Sequence, residues 1–173
     1  MTKVKFNKDA VSVVSGKDGI IVRKHIAGLE GGRVIDLTKL ASGGTTLIAA
    51  YEKEVIPCGI PIIGKTSDGV TTYKALPPTD VTTVSGENST TTYKFDIPEG
   101  WSYKGIAGAT VLAGMPCPII VAGVINEVAM LDNIKEMFPS AMETPTALSL
   151  SALKSACPHL IFMSDEANDA PSN

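Results

Sequence analysis

Between residue 10 and about residue 125, apolar positions come in short runs separated by clusters of Gly, Pro, Ser, Asp and Asn. Runs rich in β-branched and aromatic residues and bounded by turn formers read as strands. They fall at Val11–Val14, Gly19–Lys24, Arg33–Thr38, Thr46–Tyr51, Thr71–Leu76, Val81–Val84, Thr90–Ile97, Trp101–Lys104 and Ile119–Ile125. The two-residue alternation of "TTTYKFDI" supports strand over helix. Turn chemistry fills the gaps: "SGKDG", "SGGT", "TSDG", "ALPPTD", "SGEN" and "PEGW" supply positive φ through Gly or a fixed φ through Pro. Short strands with this punctuation predict a mainly β, antiparallel barrel or sandwich.

The period changes near Asn126. "NEVAMLDNIKEMF" places Val128, Leu131, Ile134, Lys135 and Phe138 at helical spacing, with Asn126 as cap and Pro139 as stop, so a helix is expected over 127–138. A second is expected over 146–156, opened by Thr144-Pro145 and closed by Cys157-Pro158, with Leu148, Leu150, Leu153 and Ala156 as an apolar face that must be buried. "HLIFM" then reads as a final buried strand and residues 164–173 as a solvated, disordered tail. The organisation predicted is an N-terminal arm at 1–10 and a single β-rich domain over 11–163 with one or two C-terminal helices.

The stretch "VIPCGIPIIG", Val55 to Gly64, sets a cysteine between two prolines, and "GMPCPII" at Gly114–Ile120 echoes it. In both, Gly permits a tight bend and Pro withholds one ladder hydrogen bond, so the chain can leave a turn and enter a strand. The prolines act as punctuation. A nucleophilic cysteine needs a neighbouring base or a helix N-terminus, and the sequence around Cys58 supplies neither, so Cys58 and Cys117 are expected to be buried and structural. Cys157 and His159 are separated by Pro158 at a helix exit, and adjacency in sequence does not make a catalytic pair.

Charge and composition narrow the function classes. Apolar residues make up 44% of the 173 and charged residues 19%, with a net charge of −3, which describes an ordinary globular chain without a basic field for nucleic acid. The longest apolar run, Ile106 to Ile125, is broken by glycines and prolines, so no membrane-spanning segment is expected. The N-terminus has no apolar signal core, which predicts synthesis and retention in a cytoplasm or in something assembled there, and three widely spaced cysteines fit neither a disulfide framework nor a zinc spacing. Two histidines are too few for a His-rich metal site. "AGLEGGR" and "ASGGTT" lack the spacing of a phosphate-binding loop, and the GxSxG, HExxH and protein-kinase signatures are absent. "GGRVIDL" resembles a motif of dUTP pyrophosphatases, but no Tyr-Arg-Gly follows Asp36. No enzyme, metal or cofactor is therefore expected, and no catalytic residue is nominated.

The segment "EVIPCGIPIIGKTSDGVTTYKAL" resembles the head-decoration proteins of tailed bacteriophages, of the lambda type, and the related head fibre proteins. The likeness rests on Ile56-Pro57-Cys58-Gly59-Ile60-Pro61-Ile62, Ser67-Asp68-Gly69, Tyr73 and Leu76. "KVKFNKDAVSVVSGKDGIIVRKHIAGLEGGRVIDLT" is similar to head fibre N-termini, and "PIIVAGVINEVAML", with Gly123, Asn126 and Glu127, to a strand-then-helix segment of decoration proteins. The Pro77–Asp96 stretch is longer than the resemblance implies, and the second helix with its final strand has no counterpart in it. The resemblance implies a β-tulip or barrel, a homotrimer, and a virion structural protein that binds the major capsid protein on the capsid exterior after synthesis in the bacterial host. It also implies an N-terminal arm that adds a strand to the capsid protein. Here the alternation around Val4, Lys5, Phe6 and Val11 makes these the candidate capsid-binding residues; an edge strand of the chain's own sheet is the other reading of that stretch.

Aromatic side chains suggest an alternative from a different class, a receptor- or glycan-binding module of a phage head or tail. Tyr73, Tyr93, Trp101 and Tyr103 would supply stacking surface if exposed, and otherwise belong to the core or to a subunit interface.

Overall fold

The structure, a computed structural model, describes residues 18–36, 55–85, 88–112, 114–137 and 148–164. It is mainly antiparallel β with a few short helices, as the pattern of runs and turns predicts. The main sheet has the order β1-β11-β8-β4-β5, formed by β1 (Val22–Gly28), β11 (Ile119–Asn126), β8 (Ser102–Ala107), β4 (Pro61–Ser67) and β5 (Val70–Ala75). These neighbours are all antiparallel; a last strand, β13 (Leu160–Met163), adds to β11 in parallel. A three-stranded sheet joins β6 (Thr79–Ser85), β7 (Asn88–Lys94) and β12 (Leu148–Ser149), and two short ladders pair β2 (Arg33–Val34) with β10 (Pro116–Cys117) and β3 (Val55–Ile56) with β9 (Val111–Leu112).

The proline-bearing segments explain how the sheet centre is built. After β3 the chain turns through Pro57-Cys58-Gly59, with the Ile60 amide donating to the Pro57 carbonyl (3.3 Å) and Gly59 at φ +87°. The Gly59 amide donates to Ala107 O and the Ala107 amide to Ile60 O, which lays the turn along the end of β8. On the other side of β8, Gly108 donates to Pro118 O just before β11 begins. The two echoed segments thus deliver Ile62-Ile63 and Ile119-Ile120 to opposite edges of the same strand. All four isoleucines are buried, so here the sheet is covered on both faces and alternation disappears. The β4–β5 hairpin closes through Asp68 (φ 52°) and Gly69 (φ 76°) between the paired Ser67 and Val70, the two-residue turn with positive φ that matches strand twist.

Helix α1 is a single turn, Asp18–Ile21, followed later by α2 (Glu127–Met137) and α3 (Ser151–Ala156). Asn126 caps α2, its Oδ1 accepting from the Ala129 amide at 3.1 Å. Met130 and Ile134 of α2 are buried, and Met130 lies against Gly59, where an added Cβ would come within 2.6 Å of its Cγ. A polar network crosses this packing. The Asp18 carboxylate accepts from both the amide and the hydroxyl of Thr110 (2.7 Å each), Thr110 Oγ1 accepts from the Cys58 amide (3.1 Å), and Asn133 Nδ2 donates to the Cys58 carbonyl (2.9 Å). The turn is therefore satisfied on both its donor and its acceptor by side chains remote in sequence.

Several elements differ from the sequence expectation. Gly19–Lys24 does not begin as a strand: Asp18–Ile21 is helical, held by the Asp18–Thr110 bonds, and β1 starts at Val22. The strand expected at Trp101–Lys104 runs instead from Ser102 to Ala107, because Gly105 (φ 134°) continues the pairing through a conformation other residues avoid. The described part of the second predicted helix begins only at Ser151; Leu148-Ser149 pair with Tyr93-Lys94, a tertiary contact that overrides local helix preference. Its buried side chains are Leu150 and Leu153, whereas Ala156 is exposed. In α2 the covered side is Met130-Asn133-Ile134, and Val128, at the first turn, is exposed. "HLIFM" is an edge strand with only Leu160 fully buried, not a buried one. The expected strands at Val11–Val14 and Thr46–Tyr51, the Phe138-Pro139 helix end, the arm at 1–10 and the tail from residue 165 lie outside the described residues.

Candidate functional site

The aromatic residues nominated from sequence divide into two settings. Trp101 is half-buried against the core beside Lys74, whose ammonium lies 5.7 Å from the indole centroid. Lys74 is itself buried and pairs with Asp36 at 3.2 Å, with the Asp36 amide donating to Tyr73 O (2.8 Å). An ammonium out of water needs such partners, so this cluster reads as structural. Tyr73 and Tyr103 are also packed against the core, yet both line an open cleft of about 350 Å³.

That cleft is floored by the main sheet and walled by the segment joining α3 to β13. Thr71 and Tyr73 come from β5, Tyr103 and Lys104 from β8, Val121 from β11 and Leu29 from the end of β1; Ala156 to His159 form the wall. The Arg33 guanidinium sits 5.8 Å from the Tyr73 ring centroid. Tyr103 donates its hydroxyl to Phe95 O at 3.3 Å, and burial raises its phenol to about 12, with Cys157 and Asp96 adding to the effect.

Lys104 owes its place to the backbone. Ile62 pairs with Gly105 and Ile63 with Tyr103, so Lys104 is the extra residue of a β-bulge, a device that redirects a side chain. Gly105 sits at φ 134°, where an added Cβ would approach Ile120 O to 2.2 Å, so only glycine fits. Gly64, opposite Tyr73 in the ladder, leaves room for the Lys104 stem: a Cβ there would meet its Cγ and Cε at 2.9 Å. Lys104, intermediate in burial as a residue, has no hydrogen-bond or ion-pair partner among the described residues, and no carboxylate lines the cleft.

All three thiols are free and buried. Burial pushes the Cys58 thiol far up, with Asp18 and Cys117 adding to it; burial raises Cys117 to about 12 and also raises Cys157. A thiolate is disfavoured at each, the opposite of what a nucleophile requires. Cys157 and His159 both line the cleft, where the expectation treated them only as neighbours at a helix exit. Among the described residues no group of three His, Cys, Asp or Glu could hold a metal ion, and no helix is long and apolar enough to cross a membrane.

A second surface is apolar. Register places Val22, Ile125 and Phe162 in one row, so Ile20 before β1, Met163 at the end of β13 and Val128 at the start of α2 lie beyond the same end of the sheet. Ile20 (51%), Val128 (42%) and Met163 (44%) are exposed there, and so is Ile161 (54%), one register inward opposite Val124; Ile26, Val34 and Val70 are exposed elsewhere. Exposed large apolar side chains near one end of a sheet make it a candidate contact surface.

Of the residues nominated from sequence, Tyr73 and Tyr103 are brought to one site and Trp101 to the Lys74 cluster. Only the backbone of Tyr93 is described, opposite Asp80 in the β6–β7 ladder. Val4, Lys5, Phe6 and Val11 lie outside the described residues. Sequence reasoning missed Lys104, Thr71 and the wall at 156–159; its one available signal was Gly105 inside a strand pattern, the mark of a bulge. Comparison with protein-family models, with characterised proteins and with solved structures found no match.

Proposed function

We propose that the protein is a virion structural protein that binds the outside of a bacteriophage capsid and stabilises it, as a decoration or head fibre protein does. The observation that carries the reading is the apolar end of the main sheet, where Ile20, Val128, Ile161 and Met163 remain in water unless another surface covers them. Burying a side chain of this size contributes about 1.5–3 kcal/mol, so a few such contacts, repeated over a symmetric lattice, give firm attachment through multivalency. The resemblance around Pro57–Pro61 and in the first residues supplies the identity of the partner, the major capsid protein. A trimer would place three copies of the apolar end and three N-terminal arms around one axis.

The test is co-sedimentation of the purified protein with capsids of the phage that encodes it, quantified per major capsid protein, together with its mass in solution. Saturation at a fixed symmetric ratio supports a decorator, and Ile161→Ser with Met163→Ser lowers occupancy while the free protein stays folded. Deleting residues 1–10 separately tests the arm through Val4, Lys5 and Phe6. A folded protein that never sediments with capsids overturns the reading.

A further inference from the structure

We infer that the cleft between the main sheet and the 156–159 wall is a binding site for an acidic sugar, a pyranose carrying a single carboxylate. Three observations support this. First, the volume of about 350 Å³ is within the range of small-ligand sites, and the lining mixes apolar surface (Leu29, Val121, Pro158) with aromatic rings and hydroxyls (Thr71, Tyr73). A sugar ring has the same mixture, with C–H faces that lie on apolar and aromatic groups and hydroxyls that hydrogen-bond at the rim.

Secondly, a cation and no carboxylate lines the site. Lys104 lines it without a described partner and Arg33 lies over Tyr73, whereas no Asp or Glu contributes to the lining and Asp96 acts on Tyr103 only from outside it. A lysine in a cleft without an acidic partner favours an anion, and one compact cation without a fork of donors suits a monoanionic carboxylate better than a phosphate dianion. Thirdly, the backbone is arranged around this lysine: the bulge at Lys104, the obligatory Gly105 and the space over Gly64 together hold its stem beside Tyr73. The inference does not depend on attachment to a capsid, and either can fail without the other.

The test is titration of the 15N-labelled full chain with sodium D-glucuronate, followed by amide shifts, with D-glucose and sodium benzoate as the neutral sugar and the non-sugar acid. Saturable shifts are expected at Thr71, Tyr73, Lys104 and His159, with glucose and benzoate each binding at least about tenfold more weakly. Removing the charge with Lys104→Met should weaken glucuronate about ten- to a hundredfold, the size of a charge-assisted hydrogen bond. Gly64→Ala, which keeps the charge but displaces the stem, should weaken it as well, and it serves if Lys104→Met does not fold. No saturable shifts with the folded protein, equal binding of glucose or benzoate, or unchanged affinity in Gly64→Ala and in a folded Lys104→Met would each overturn the inference.

Discussion

Replacing Thr110 by Val removes a hydroxyl at nearly constant volume, and three bonds define what is lost. Thr110 Oγ1 donates to the Asp18 carboxylate at 2.7 Å and accepts from the Cys58 amide at 3.1 Å, while the Thr110 amide keeps its own bond to Asp18. Thr110 is 7% exposed and Cys58 is fully buried, so water cannot replace either bond without opening the turn. A hydrogen bond to a charged group contributes about 1.5–3 kcal/mol, and stranding a buried amide costs about 1–3 kcal/mol. The two share one oxygen and do not simply add, so a loss of about 3 kcal/mol is expected. For a domain of this size, about 2–4 °C per kcal/mol turns that into a melting point lower by about 6–12 °C. Thr110→Ser keeps the hydroxyl and deletes one methyl, for which about 1 kcal/mol is expected. The assay is urea and thermal unfolding of wild type, Thr110→Val and Thr110→Ser. Equal destabilisation by Val and Ser, or a Val effect below about 1 kcal/mol, would show that packing rather than this hydroxyl holds the turn.

Gly105→Ala should cost more than the usual glycine substitution, at least about 1–3 kcal/mol for φ 134° alone, because the new Cβ also meets Ile120 O at 2.2 Å; urea midpoints measure it, and a neutral result would refute the bulge geometry. Tyr103 should ionise near pH 12, against about 10 for the unfolded chain, because burial disfavours the phenolate. Its folded value is raised, so the stabilisation is complete below pH 10 and is lost as pH rises from 10 to 12. Absorbance titration should show a late phenol step that disappears in Tyr103→Phe, and a step unchanged by that substitution would falsify the assignment. The three thiols should resist a thiol reagent at neutral pH until denaturant is added, with Cys157, slightly exposed, reacting before Cys58 and Cys117; fast labelling of Cys58 in the native protein would contradict its burial.

Sequence reasoning located most strands in the described part of the chain because their signals are local: β-branched runs and Gly or Pro breaks. "TSDG" encoded a hairpin turn outright, and Asn126 encoded a cap. What local signals could not carry were choices made by distant partners. Asp18–Ile21 coils because its aspartate meets Thr110, and Leu148-Ser149 extend because Tyr93-Lys94 offer a ladder. The cleft illustrates the same limit, since Thr71, Lys104, Val121 and His159 are unremarkable one by one and converge only through register. Tyr73 and Tyr103 were visible as aromatics, but nothing local separated them from Trp101, which is held by the Lys74–Asp36 pair.

The three partners of β11 have a consequence for how the chain folds. One flank of this strand is formed by β1, near the start of the described chain, and the other by β8 and, at its end, β13. Both outermost partners are distant in sequence, so the loop-closure entropy of joining them is spent before the contacts reward it. During synthesis β11 cannot gain its full set of neighbours until Met163 has left the ribosome, and until then its "IIVAGVIN" run remains partly unpaired and open to strand pairing with other nascent chains. The last strand would then act as a timer, closing the sheet only once residues 160–163 are free to pair.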